Sequence, residues 1–122
     1  MRNLKVKVKS AKGRSISSTR WLQRQLNDPF VKEAKLQGFR SRSAFKLIEI
    51  NNKFNLLKKG HNVLDLGCAP GGWCQVAAQK VGVKPSEKLV VGLDLKSCEP
   101  IVGVKFVEID FLDETQFLEF EN

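Results

Sequence analysis

The residues best suited to chemistry are three glycines and two aspartates in the second half of the chain. Gly67, Gly71 and Gly72 allow the backbone to approach a ligand closely, and free N–H groups at the start of a following helix face its negative end. Asp94 follows Gly72 by 22 residues, close to the spacing at which doubly wound folds hold the ribose hydroxyls of an adenosine. Asp110 comes after the next apolar segment. The pattern predicts a nucleotide-binding site.

The elements that must position these residues are short strands and a helix. A helical pattern starts at Trp73, directly after the glycines. Apolar runs at residues 63–66, 89–93 and 104–109 predict three strands, the first of them buried on both faces. Parallel strands place their carboxyl ends on one edge, so Asp94 and Asp110 are expected to face one crevice of an α/β sheet.

The first half of the chain shows helical patterns. Ser17 or Ser18 is a candidate cap for a first helix, and Asp28 precedes a proline that begins a second helix ending at Gly38. A third helix starts near Ala44.

Lys46 lies off the apolar face of that third helix, three residues before Glu49. A lysine in this position is usually a surface charge paired with its neighbour. On periodicity alone, a structural role is therefore favoured over a catalytic one.

Charge divides the chain into a basic and an acidic half. Residues 1–60 hold 16 Lys and Arg against 3 Asp and Glu, and residues 61–122 hold 5 against 10. We predict a basic disordered arm at 1–17, a helical region at 18–60 that faces RNA, and half of a sheet domain at 61–122. The imbalance indicates polyanion binding beside a small-molecule site, although a solvated lysine-rich surface is the simpler alternative.

Several classes of protein are excluded by composition. No apolar run approaches 18 residues, and the basic N-terminus has no apolar segment after it, which argues against a membrane span and a secretory signal. The 3 cysteines have no zinc-binding spacing and are odd in number, as expected of reduced thiols in the cytoplasm. We expect no metal site.

The chain resembles the FtsJ/RrmJ-type ribose 2′-O-methyltransferases, bacterial enzymes that modify large-subunit ribosomal RNA with S-adenosylmethionine. The resemblance rests on residues 20–30 (RWLQRQLNDPF), 38–47 (GFRSRSAFKL), 65–73 (DLGCAPGGW), Asp94 and 100–104 (PIVGV). It implies a Rossmann-like methyltransferase fold with its first three strands in the order 3-2-1. The implied partner is ribosomal RNA within the ribosomal particle, with a uridine ribose as the expected target.

The resemblance also implies roles for individual residues. Gly71 and Trp73 would contact the methionine end of S-adenosylmethionine, Asp94 its ribose and Asp110 its adenine amino group. Lys46 would be the first lysine of a Lys-Asp-Lys-Glu catalytic set whose other members follow the third strand in the family.

We therefore expect an N-terminal fragment of the enzyme, inactive alone, that a second polypeptide with the remaining set could complement. In the order 3-2-1, strand 63–66 would be an open edge. Two alternatives remain open: a nicotinamide-binding half-domain, against which the Gly-x-x-x-Gly-Gly spacing argues, and a non-catalytic RNA-binding or ribosome-assembly module.

Overall fold

The computed structural model describes residues 13, 15–82 and 89–121, and the residues predicted as a disordered arm lie mostly outside this part. The element order is α1 (Ile16–Asn27), α2 (Pro29–Gln37), α3 (Ser43–Phe54), β1 (Val63–Leu66), α4 (Gly72–Val81), β2 (Val90–Asp94), β3 (Val104–Glu108) and α5 (Glu114–Glu121). Helix α1 begins at Ile16, so it includes the last two residues of the range predicted as the arm. No helix of the described residues has the length and hydropathy needed to cross a bilayer.

The three strands form one parallel sheet with β2 in the centre. Leu66 pairs with Leu93, and Asp94 pairs with Glu108, so the carboxyl ends of the strands are level. The predicted α/β class and the strand order are confirmed.

The larger core cluster lies between α4 and the sheet, and a second cluster joins Val76 of α4 to Ala44 and Leu47 of α3. Val76, Val90 and Leu93 are completely buried. A Cβ built at Gly92 would lie 2.7 Å from Cys68 Sγ and 3.0 Å from Cys74 Sγ. Only glycine in the central strand leaves room for these thiols, since real Cβ atoms do not approach other heavy atoms so closely.

The expectation that β1 is buried on both faces is wrong. Leu64 and Leu66 are each 51% exposed. They line an apolar groove together with Leu57 and Trp73. Leu64 and Leu66 share one face of β1 because side chains alternate along a strand, and α4, which packs against β1, leaves that face half exposed.

The helix ends follow local chemistry. Asp28 caps α2 as predicted, since its Oδ1 accepts from Phe30 N at 2.8 Å. Gly38 ends that helix in the left-handed conformation, at φ 80°. The cap of α1 is Ser15 instead of Ser17 or Ser18, with Ser15 Oγ accepting from Ser18 N at 3.1 Å.

Candidate functional site

The glycine loop, residues 67–72, runs from the end of β1 to the first residue of α4 and is hydrogen-bonded to the end of β2. Gly67 N and Cys68 N both donate to Leu93 O, at 2.7 and 3.1 Å. Gly71 has φ 115°, a conformation that residues with a side chain rarely adopt. The loop therefore needs glycine at this position for its backbone path alone.

The start of α4 is tightly packed against the segment that connects α2 and α3. A Cβ at Gly72 would lie 2.4 Å from Ser41 Oγ, and Trp73 Nε1 donates to Ser43 O at 2.8 Å. Gln75 of the same helix accepts from Arg40 N at 2.8 Å and donates to Gly38 O at 3.0 Å. Residues 38–43 thus form one side of the site.

A cleft of about 270 Å³ opens above the glycine loop. Its walls are Ser41, Ser43, Asp65, Leu66, Gly67, Cys68, Ala69, Pro70, Gly72 and Trp73. Among the residues that the sequence predicts for the cofactor, the cleft wall includes Trp73 but not Gly71, Asp94 or Asp110.

Asp94 is held beside this loop by two backbone groups. Its Oδ1 accepts from Lys96 N and its Oδ2 from Ala69 N, both at 2.9 Å. These N–H groups of Lys96 and Ala69 hold the pKa of Asp94 below its usual value of 3.8. A charged carboxylate keeps further lone pairs free to accept from hydroxyl groups.

Asp110 lies further along the same edge of the sheet. Ile109 N donates to Asp94 O at 2.8 Å, so the chain after β3 stays fastened to the end of β2. Asp110 Oδ1 accepts from Leu112 N at 3.0 Å, and Asp110 N donates to Gln116 Oε1 at 3.0 Å. The described contacts of Asp110 thus lie in its own loop and α5.

Lys46 occupies an exposed position on α3. Its side chain is 66% exposed, and its Nζ lies 4.0 Å from Glu49 Oε2. This is the surface pair that the helical spacing indicates. Lys46 is not part of the cleft wall.

Asp65 is a site residue to which sequence reasoning gave no role. Burial raises the pKa of Asp65, although Cys74 Sγ donates to its Oδ2 at 3.2 Å and acts in the opposite direction. An acid inside an apolar strand was the available signal. Ser41 and Ser43 were also missed, because hydroxyls before a helix predict caps, whereas α3 has no side-chain cap and the two hydroxyls contact each other at 2.6 Å.

The three cysteines are free, as expected. Burial raises the pKa of Cys68 to about 12, and its Sγ lies 3.9 Å from Cys98 Sγ. Within residues 13, 15–82 and 89–121, no cluster of His, Cys, Asp or Glu is suited to a metal ion.

Comparisons with known proteins agree on one family. A model described as FtsJ-like methyltransferase matches residues 39–122. A protein from Ruegeria pomeroyi named ribosomal RNA large subunit methyltransferase E is 54% identical over 118 residues, covering 93% of this chain and 51% of the relative. A protein of the same name from Xanthobacter autotrophicus is 57% identical over 111 residues, covering 91% of this chain and 44% of the relative.

The structural comparison gives a similar result. A solved structure described as a ribosomal RNA methyltransferase from Plasmodium falciparum aligns with a TM-score of 0.53 and 38% identity, over 63% of this chain and 41% of that one. The chain spans about half the length of the curated relatives it matches.

Proposed function

Because the chain belongs to the FtsJ-like methyltransferase family, we propose that it binds S-adenosylmethionine at the glycine loop. We further propose that it supplies the cofactor-binding part of an enzyme that methylates a ribose 2′-hydroxyl of large-subunit ribosomal RNA in the cytoplasm. The observation that carries this proposal is the Asp94 carboxylate, fixed by two backbone N–H groups directly beside a glycine loop.

The cofactor would lie along the carboxyl edge of the sheet. Gly71 and Trp73 are assigned to its methionine end, where the first turn of α4 presents free N–H groups to a carboxylate. Asp94 is assigned to the ribose, because a charged acceptor at the end of the second strand suits a pair of hydroxyls. Asp110, one strand further from the cleft, is assigned to the adenine amino group.

Lys46 is assigned to the reacting end of the RNA. In the reaction, the ribose 2′-oxygen forms a bond to the methyl carbon as the carbon–sulfur bond breaks in line, and the hydroxyl proton passes to a base. The cofactor supplies the methyl group. A lysine serves as such a base when neighbouring groups favour its neutral form, and it otherwise positions phosphate or ribose. The described surroundings of Lys46, with Glu49 at 4.0 Å, suit positioning.

The basic half of the chain is assigned to the RNA. Residues 1–60 carry a net charge of +13, from 16 basic against 3 acidic residues. Neutralising phosphates releases counterions and gives affinity with little sequence preference. This charge also supports the second candidate function, an RNA-binding or ribosome-assembly module without catalysis.

Titration calorimetry with S-adenosylmethionine separates these functions. We expect the unsubstituted chain to bind, and Asp94→Asn to bind about tenfold more weakly, because a charged acceptor of hydroxyl groups is lost. Asp113→Asn is the matched control, since it removes the same charge from the start of α5 and leaves a residue able to cap the helix. Equal heats for the unsubstituted chain and Asp94→Asn would remove the assignment of Asp94. Heat with NAD would support a nicotinamide-binding domain, and heat with neither would leave the RNA-binding module.

A transfer assay tests the catalytic part of the proposal. We propose that this chain alone transfers no labelled methyl group to ribosomal particles, and that a polypeptide carrying the rest of the family's catalytic set restores transfer. The open edge of β1 gives such a polypeptide a strand to pair with. Transfer should fail again with Lys46→Ala. Turnover by the chain alone would contradict the need for the other members of the set.

A further inference from the structure

The guanidinium group of Arg40 binds backbone carbonyls instead of a carboxylate. Arg40 lies between α2 and α3, in the basic half of the chain. Its Nη1 donates to Pro70 O at 3.1 Å and to Glu99 O at 2.5 Å, and its Nη2 donates to Pro100 O at 2.8 Å. Three of the five N–H donors of the side chain are therefore directed into the protein.

These carbonyls belong to two separate segments of the site. Pro70 is in the glycine loop, whereas Glu99 and Pro100 are in the connection between β2 and β3 that begins just after Asp94. The arginine joins the two segments. It also packs on the glycine loop, because a Cβ at Gly71 would lie 3.2 Å from Arg40 Nη1.

The backbone of Arg40 is itself fixed by α4. Gln75 Oε1 accepts from Arg40 N at 2.8 Å, and Gln75 Nε2 donates to Gly38 O at 3.0 Å. A side chain held at its base by a helix and at its tip by three carbonyls has little freedom. Arg40 therefore links α4, the glycine loop and the β2–β3 connection through hydrogen bonds.

We infer that Arg40 is a positioning residue of the cofactor site, which holds the glycine loop and the β2–β3 connection in the shape that receives S-adenosylmethionine. The identity of the ligand in this inference rests on the proposed function. The role of Arg40 in ordering the loop does not depend on it. Arginine is required because its planar fork reaches carbonyls on both segments at once, whereas a lysine ammonium is a single point on a flexible stem.

The test combines hydrogen exchange with cofactor titration for Arg40→Gln and Arg40→Lys. In Arg40→Gln, the amides of Gly67, Cys68 and Ala69 should exchange about tenfold faster, while those in the middle of α3 keep their rates. The affinity for S-adenosylmethionine should fall about tenfold, with Arg40→Lys between the two. Arg24→Gln, which removes the same charge from the exposed end of α1, should change neither property.

The outcomes are distinguishable from failure of the proposed function. Unchanged exchange in the glycine loop of Arg40→Gln would overturn the inference. Absence of binding by the unsubstituted chain would remove the proposed cofactor, and the exchange rates would still decide whether Arg40 orders the loop. If Arg40→Gln does not fold, loop exchange relative to α3 exchange in Arg40→Lys decides it: selectively faster loop exchange supports the inference, and equal changes in both overturn it.

Discussion

The helical region, residues 15–60, and the sheet region, residues 61–121, differ in how much of each is buried. Of the fourteen buried hydrophobic residues described, only Ala34, Ala44 and Leu47 belong to the helical region. Helix α1 has no buried residue. The sheet region supplies the other eleven, including the completely buried Leu93 of β2.

This difference indicates separate physical tasks. The sheet region fixes the positions of the glycine loop and Asp94 through close packing, so changes there should affect stability and site geometry together. The helical region carries 10 of the chain's 21 Lys and Arg residues against 3 Asp and Glu, and its core is small. Apart from residues 38–43, which pack against the glycine loop, changes there should affect association with a polyanion more than folding.

The largest expected effect is the difference in stability between two leucine-to-alanine substitutions, one in each region. Leu93→Ala should lower the free energy of unfolding by about 2–5 kcal/mol, since it removes a buried side chain from the central strand and leaves a cavity. Leu36→Ala on α2, where the leucine is 81% exposed, should change it by less than about 0.5 kcal/mol. Urea unfolding followed by circular dichroism measures both. Similar losses for the two variants would contradict the comparison.

The second prediction concerns RNA affinity. Deletion of residues 1–14 removes six basic residues and leaves α1 with its Ser15 cap. Affinity for ribosomal RNA at low salt should fall by about tenfold or more, and its dependence on salt should become shallower, because fewer counterions are released.

Filter binding across a salt series measures this slope. The control is Lys80→Gln with Lys105→Gln in the sheet region, which should leave the slope closer to that of the unsubstituted chain. An unchanged slope after the deletion would show that residues 1–14 contact no phosphate.

The third prediction concerns how stability depends on pH through carboxylates of the sheet region. Backbone N–H groups of Lys96 and Ala69 lower the pKa of Asp94 below 3.8 in the folded state. Its charged form therefore contributes stability that is present above pH 3.8 and lost as the pH falls through the lowered folded value. Asp94→Asn should lose less stability than the unsubstituted chain in this acid range, as measured by urea unfolding at a series of pH values.

Asp65 serves as a control because its pKa is shifted in the opposite direction from that of Asp94. Burial raises its pKa above 3.8, so the folded state binds its proton more readily than the unfolded chain. Protonation of Asp65 should stabilise the fold as the pH falls through the raised value, and Asp65→Asn should remove that gain. Parallel pH profiles for the two variants would contradict the assigned environments.

The smallest effect on global stability is expected at the start of the helical region. Ser15→Ala removes the hydroxyl that accepts from Ser18 N at 3.1 Å. A lost cap costs about 1 kcal/mol of helix stability. Because α1 has no buried residue, this cost should appear as faster amide exchange in the first turn of α1 with an almost unchanged melting temperature. A lowered melting temperature would show that α1 unfolds together with the sheet.

Sequence reasoning predicted the elements best where one local rule decides. Asp28 before proline and Gly38 after the helix each act within a few residues, and both ends of α2 are confirmed. The sheet order followed from the chain's resemblance to a family, and β1 was correctly expected at an edge. Its exposure was missed because an apolar run gives no information about which neighbours are present to cover it.

The site was predicted only in part for a related reason. Glycine spacing and Asp94 are visible along the chain, but the carbonyl contacts of Arg40 join residues 30 to 60 positions apart. Every residue has a backbone carbonyl, so the sequence does not show which of them accept a hydrogen bond from a side chain. The sequence therefore does not distinguish Arg40 from the other basic residues of the first half. Its contacts with Pro70 O and Pro100 O are apparent only from the fold.

The fluorescence of Trp73 can report on the cleft. Trp73 lines both the cleft and the apolar groove beside β1, and its Nε1 donates to Ser43 O. A ligand in the cleft, or a strand added along β1, would therefore change the polarity around this fluorophore. Trp21, the other of the two tryptophans, is 55% exposed on α1 and supplies a solvent-facing reference. With Trp21→Phe, the emission of the protein would come from Trp73 alone and would respond to a ligand in the cleft or a strand added along β1.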